Sequence, residues 1–372
     1  MTNIYHPLRS LREGHWFKLI CGASFQHLPA VRNLTLAFTL AGADCIDVAA
    51  DPAIITVAQA AMQMASQIAT SADGYSGRPA GLPWLMVSLN DGEDPHFRKA
   101  EFDPGLCPAD CSRPCEMICP AQAIVFDRPN GHSGVLSDRC YGCGRCLPIC
   151  PVQQITTRSF MVDPASLAPL VLQGVDALEI HTQVGRWTEF RQLWQAITPW
   201  TAHLKLIAIS CPDGEGLIDY LWSLYDLITP LPCTLLWQTD GRPMSGDIGD
   251  GATRATVKLG QKVLAAGLPG YVQLAGGTNS HTVEKLRTLG LLHQRPGVLA
   301  QQPGEDSPSI AGIAYGSYAR VLLSPILEKL EALSISHLEA VPELLQEAID
   351  RAASLVSQLK SSVRYYDPVP FR

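Results

Sequence analysis

The sequence predicts an α/β protein, a (β/α)8 barrel interrupted by a cysteine-rich insertion and followed by C-terminal helices. Three observations predict it. Eight short, nearly continuous apolar strands recur along the chain, each followed by helical periodicity, which is the pattern of a parallel sheet covered on both faces. Eight of the twelve cysteines crowd between Cys107 and Cys150, after the third strand. Beyond the last strand, Leu344, Leu345, Ile349, Leu355, Val356 and Leu359 form a helical stripe. An open doubly wound sheet is the alternative reading of the same alternation.

In chain order, strands are expected at 17–21, 44–49, 84–89, 177–181, 204–210, 233–238, 271–275 and 310–315. Helices are expected at 28–41, ended by Gly42, at 52–69, and at 163–174, where Pro164 suits a first turn. Further helices fall at 188–197, 216–228, up to 266, 281–289, from about Pro325, and at 342–359. The last of these either packs outside the barrel or faces a partner. The domain reading is 15–100 for the first part of the barrel, 101–157 for the insertion, 158–325 for the remainder of the barrel and 326–372 for the C-terminal helices.

Of 372 residues, 47% are hydrophobic and 17% charged, which excludes disorder as the class. The formal charge of −7, without a basic tract, disfavours binding to nucleic acid. No secretory signal is evident around Arg9, Arg12 and Glu13. The apolar stretches are broken by Asp44 and Asp47, or carry Gln59, Gln63 and Gln67, so no transmembrane segment is expected. A cytoplasmic location follows as the expectation, and in a reducing compartment clustered cysteines mean metal rather than disulfides.

The insertion reads CPADCSRPCEMICP, then CYGCGRCLPICP. In the second run Cys140, Cys143, Cys146 and Cys150, followed by Pro151, have the spacing of a bacterial ferredoxin cubane site, whose fourth cysteine ligates the other cluster. Two [4Fe–4S] clusters are therefore expected, one on Cys107, Cys111, Cys115 and Cys150, the other on Cys140, Cys143, Cys146 and Cys119. The first run departs from the usual two-residue gaps, with three residues between Cys107 and Cys111 and three between Cys111 and Cys115, so which of Cys107 and Cys111 binds stays open. Zinc is the competing use of four cysteines. Cys21, Cys45, Cys211 and Cys233 read as buried, inert thiols.

Barrel chemistry lies at the C-terminal strand ends, where the chain offers Asn90, Asp91, Glu179, His181, Ser210, Cys211, Gln238 and Asp240. Gly276, Gly277, Thr278 and Asn279 after the seventh strand, with Gly316 and Ser317 after the eighth, suit a phosphate or flavin mononucleotide. The plain reading of Gly-Gly-Thr-Asn is a tight turn with a helix cap. Tyr315 and Arg320 lie beside these groups. Glu179 and His181 face the same way on a strand, as an acid/base pair or as a packed, satisfied histidine. The loop 240–253 is glycine-rich and suits a mobile cover.

Taken together, FKLICGASFQ, LAGADCIDVAADP, the CPADCSRPCE run and ALEIHT resemble the cyanobacterial light-dependent period family, over most of the chain. That resemblance implies an iron–sulfur protein of the circadian input pathway, with a circadian input histidine kinase and clock proteins as partners. It implies no known catalytic reaction. The leading functional expectation is an iron–sulfur redox sensor or electron-transfer regulator, with a quinone or ferredoxin pool as redox donor. The alternative is a ferredoxin-linked oxidoreductase with a flavin or a phosphate-bearing substrate at the barrel mouth. A purely structural role for the clusters is a third reading.

Overall fold

The computed structural model of the chain describes residues 6–70, 81–93, 97–127, 131–159, 164–242, 251–292 and 308–360. The expected strands close into a barrel of eight parallel strands, resolving the choice against an open sheet. These are β1 Trp16–Ile20, β2 Cys45–Ala49 and β3 Trp84–Asn90. After the insertion come β8 Ala177–His181, β9 Leu206–Pro212, β10 Thr234–Asp240, β11 Tyr271–Ala275 and β12 Gly312–Tyr315. Closure is made by β1 on β12, with Trp16 opposite Gly312. A Cβ on Gly312 would stand 2.2 Å from the Trp16 carbonyl oxygen, so glycine is what lets the ring close there.

Alternation along the strands divides the barrel. Phe17 and Leu19 point out into the layer beneath the helices, where Phe17 stacks on Phe38 and Tyr315. Trp16 points in and forms the bottom apolar layer with Cys45, Trp84, Met86, Leu206 and Leu236. Lys18 also points in, one layer higher, and is fully buried.

Four departures from the expected elements have physical causes. The helix placed from about Pro325 starts at Ser317 (α11, Ser317–Ala332), with Pro325 inside it. Proline removes one helical donor, which would leave the Val321 carbonyl without its partner. The Ser324 hydroxyl donates to that carbonyl at 3.0 Å, so the helix runs on. The helix expected at 163–174 is shorter, α6 Pro164–Val171, and finishes in a 3-10 turn, Leu172–Gly174. Strands β9 and β10 each end two residues later than expected, which preserves their faces and carries Asp240 to the mouth. A short N-terminal helix, α1 His6–Glu13, was not expected; its Leu11 packs under Trp16. The core of the glycine-rich loop, 243–250, lies outside the described residues.

The insertion leaves β3 and returns to β8. Its ends are tied by an antiparallel pair, β4 Arg98–Glu101 with β7 Thr156–Ser159. Between them lie two short helices, α4 Pro114–Ile118 and α5 Cys146–Ile149, and the pair β5 Ile124–Val125 with β6 Gly134–Val135. The C-terminal helix α12, Pro342–Lys360, covers the barrel's outside, and Lys360 reaches Asp44 at 2.7 Å. Among the described residues no helix is long and apolar enough to cross a membrane.

Candidate metal centre and the barrel mouth

The insertion is a repeat folded twice. Cys119 and Cys150 each end a helix with nearly the same backbone angles, φ −75°, ψ 106° and φ −69°, ψ 115°. Three residues on, Gln122 and Gln153 both adopt a left-handed turn at φ 48° and 51°. Gly144 takes φ 73° two residues before Cys146, and Arg113 takes φ 53° two residues before Cys115, a strained choice for a residue with a side chain. The irregular first run therefore reaches the same turn as the regular second one.

The thiols fall into two groups of four. Loss of hydration raises the Cys107 thiol, reinforced by Cys111 and Cys150. Burial likewise raises Cys115, with Cys150 and Cys107 adding to it. On the other side, burial together with Cys143, Cys140 and Cys119 pushes the Cys146 thiol up to about 12. Cys150 is thus a charged neighbour of Cys107 and Cys115 across the insertion. Cys119, Cys140, Cys143 and Cys146 surround a small cavity walled by Ala100, Ala121, Ala123, Ile124 and the turn at Gly142 and Gly144.

The donor set suits an iron–sulfur group. Backbone N–H groups aim at sulfur, Ala100 at Cys140 and Ala123 at Cys119, both at 3.3 Å, and the Gln154 amide donates to Cys107 Sγ at 3.0 Å. Such bonds stabilise charge on thiolate sulfur. Burial acts upward on Cys150, but the backbone N–H groups of Gln154, Val152, Ile155 and Gln153 outweigh it and lower that thiol's pKa. Among the described residues no three His, Cys, Asp or Glu side chains converge as ligands of a single metal ion.

The second thiol group sits against the barrel. Tyr141, between Cys140 and Gly142, packs edge-on to Phe25 at 5.4 Å and lies under the Arg320 guanidinium at 4.0 Å. Gly22, at φ 132°, leaves room for this: a Cβ there would meet Phe25 at 3.2 Å and Arg320 at 3.4 Å. Lys99 donates to Gln26 and to the Ser137 carbonyl, and Arg139 pairs with Glu331 of α11 at 2.5 Å. Phe97 packs edge-on to His181 at 5.3 Å.

Below this contact lies a chain of buried polar groups. Lys18 bonds Glu179, reaches Gln238 Oε1 at 3.0 Å and lies 3.2 Å from Asp47. Gln238 donates to Glu179 at 2.6 Å and to Ser210 at 3.1 Å, and Gln273 donates to Gln238 at 2.6 Å. Trp16 closes the chain on Gln273 at 2.6 Å. Burial acts to raise Glu179, but Lys18 and His181 outweigh it and hold the carboxyl at about 2. Burial raises Asp47 to about 6, against the pull of Lys18. His181 lies 2.8 Å from Glu179.

Of the residues expected at the mouth, Glu179, His181, Gln238, Asp240, Gly276, Gly277, Thr278, Gly316, Ser317 and Arg320 line one cavity of about 60 Å³. Small-ligand pockets typically occupy about 300–1,000 Å³. Asp47, Glu179 and Asp240 all face this space, and carboxylates repel a phosphate. Gly276 is required by packing, since a Cβ there would lie 1.7 Å from Asp240 Oδ1. Asn279 accepts from His281 N at 2.9 Å and from Thr253 at 3.0 Å, in keeping with the tight-turn reading. The other expected residues turn elsewhere. Tyr315 stacks on Phe17, Cys211 faces the helices, and Asn90 and Asp91 bond Gly92 and Thr182.

Lys18, Asp47 and Tyr141 escaped sequence reading. The signal for the first two was present: opposite charges at mid-strand in otherwise apolar strands. Tyr141 carried none. A second cleft, of about 300 Å³, runs between α2 (Leu28–Leu40), α11 and the insertion, and Tyr141 and Arg320 line both cavities.

Comparison with known proteins places these parts. The Light dependent period A Fe-S cluster-binding domain matches residues 107–161, and the Light dependent period A C-terminal domain matches residues 170–358. Light dependent period A of Synechococcus elongatus is 53% identical over 358 residues, covering 96% of this chain and 94% of that protein. A Haemophilus influenzae protein described as Protein NrfC homolog is 32% identical over 75 residues, 20% of this chain and 33% of its own. A solved (S)-3-O-geranylgeranylglyceryl phosphate synthase from Thermoplasma acidophilum aligns over 97% of this chain and 99% of its own, at 12% identity and a TM-score of 0.38.

Proposed function

The chain belongs to the Light dependent period A family, and we propose that it is a cytoplasmic redox sensor that passes the cell's electron balance, and so light intensity, to the circadian input. In this reading Cys107, Cys111, Cys115 and Cys150 hold one [4Fe–4S] cluster, and Cys119, Cys140, Cys143 and Cys146 hold the other. Bound there, the clusters supply one-electron exchange with a quinone or ferredoxin pool. The chain's own residues then do the sensing. Backbone N–H groups and the Gln154 amide set the charge the sulfurs accept, and Tyr141 carries the second group's surroundings to the barrel. A circadian input histidine kinase and clock proteins read the outcome, provided they bind the two charge states unequally.

The observation that supports this reading is the cavity shared by Cys119, Cys140, Cys143 and Cys146, with Cys115 and Cys150 buried in the apolar cluster beside it. Anaerobic purification, iron and acid-labile sulfide assays, and paramagnetic resonance through a potential titration test it. Two one-electron signals are expected; protein without iron and sulfide overturns it.

A second reading is favoured by position alone: Gly276, Gly277, Thr278, Gly316 and Ser317 do meet at the mouth. An oxidoreductase with a flavin or phosphate compound there would release that compound on denaturation. The about 60 Å³ of space and the three carboxylates weigh for the sensor.

A further inference from the structure

We propose that Arg320 of α11 is the barrel's counter-charge to the second thiol group, and that it couples that group's charge state to the barrel mouth. This rests on the sensor reading above and names the residue through which it acts.

Arg320 is only 6% exposed, yet no carboxylate pairs with it among the described residues. Nη1 donates to the Ile20 and Cys21 carbonyls at 3.0 and 2.8 Å, Nη2 donates to Ser317 at 2.9 Å, and Nε has no partner. A buried guanidinium held only by neutral acceptors is costly unless a negative charge lies nearby. The neighbouring cations are already committed. Lys18 lies with Asp47 and Glu179, Arg139 with Glu331, and Lys99 with Gln26 and Ser137.

What Arg320 faces is Tyr141, 4.0 Å below it, on the turn that joins Cys140 to Cys143. Tyr141 also lines the small cavity that Cys119, Cys140, Cys143 and Cys146 surround, so the guanidinium stands one side chain away from the thiol group. Asp47, Glu179 and Asp240 face the mouth that Arg320 lines without forming an ion pair with it, and four thiolates around a cubane would give a net negative site on the guanidinium's other side. Lys99 also bridges the insertion and the barrel, donating to Gln26 in the connection after β1, but it lines neither the mouth nor the larger cleft. Arg320 lines both. The same guanidinium holds the end of β1 and the start of α11, and with Tyr141 it walls both the mouth and the larger cleft. Added negative charge on the thiol group pulls on Arg320 and competes with the Ile20 and Cys21 carbonyls for it.

Replacing Arg320 by methionine keeps bulk and removes charge. In the full chain, Arg320→Met is expected to shift the second cluster's midpoint potential downward, because the more negative state loses its cation. The first cluster's potential stays, and Arg320→Lys recovers part of the shift. In the wild-type protein, dithionite reduction is expected to change amide hydrogen exchange at residues 20–22 and 317–323. Arg320→Met with both clusters present and an unaltered second potential overturns the proposal. If that variant fails to retain its clusters, the wild-type exchange experiment decides: identical exchange in the two redox states overturns it. A wild-type protein with no reducible cluster defeats the sensor reading instead, which separates the two failures.

Discussion

The barrel axis and the cysteine insertion both take ionisable groups out of water, and they balance them in opposite ways. On the axis the balance is internal. Lys18 meets Asp47 and Glu179, and Gln238, Gln273 and Ser210 fill the remaining bonds. In the insertion it is external. Eight thiols gather in one short segment, and their apolar support is a small cluster around Ile124, Ile155, Phe102 and Phe126. A segment of that size buries too little to fold on apolar area alone. The difference teaches that the barrel carries its own stability, while the insertion depends on what its thiols bind.

Removing iron is the largest test of this contrast. Chelation under anaerobic conditions is expected to abolish hydrogen-exchange protection across 98–159 while the barrel strands stay protected. Equal loss in both regions, or in neither, would erase the distinction. The reciprocal experiment is Lys18→Met, which leaves Glu179 and Asp47 buried without their cation. Such uncompensated charge costs about 3–5 kcal/mol. Chemical unfolding followed by barrel tryptophan fluorescence should show a loss of that order, with iron content per folded chain unchanged. A loss below about 1 kcal/mol would mean that the axis is not the closed ion network described here.

Much of this was legible in the sequence, for identifiable reasons. Strand alternation announced the barrel because a parallel sheet covered on both faces needs continuous apolar runs. Cys140, Cys143, Cys146 and Cys150 announced their own chemistry because local spacing decides which thiols share a loop. What local pattern does not encode is assembly across the ring. Lys18 and Glu179 lie 161 positions apart and meet only when the barrel closes. The run of helix through Pro325 is not encoded in local pattern either, because its rescue is a single serine hydroxyl. Tyr141 resembles any residue of a ferredoxin loop until Arg320 is placed above it.

Within the insertion, the crossing of Cys119 and Cys150 gives a smaller and sharper test. Cys119→Ser lies in the first run but should remove the signal of the second group, and Cys150→Ser should do the reverse. Each loss takes iron from about eight to about four per chain if the remaining site survives. Resonance spectra of the two variants should therefore exchange which signal persists. Matching losses within each cysteine's own run would show that the repeats are not interlocked.

The smallest expected effect is on the pH dependence of the barrel, and it follows from Asp47. Burial raises this carboxyl from its usual 3.8 to about 6. Between those values the folded protein keeps a proton that the unfolded chain has released. Asp47's contribution is therefore complete below about pH 3.8 and declines as pH rises through 6. Glu179 runs the other way: held at about 2, its contribution is present above 4.5 and is lost as pH falls toward 2. Urea unfolding of iron-loaded protein should therefore show stability falling from about pH 4 to about pH 6, once other groups are subtracted through Asp47→Asn. That variant keeps an acceptor for Ser88, which bonds Asp47 at 2.9 Å, and removes the titration together with one of the two anions beside Lys18. Parallel pH profiles for wild type and variant would show that Asp47 is not proton-linked to folding, and that the axis is balanced more tightly than its geometry indicates.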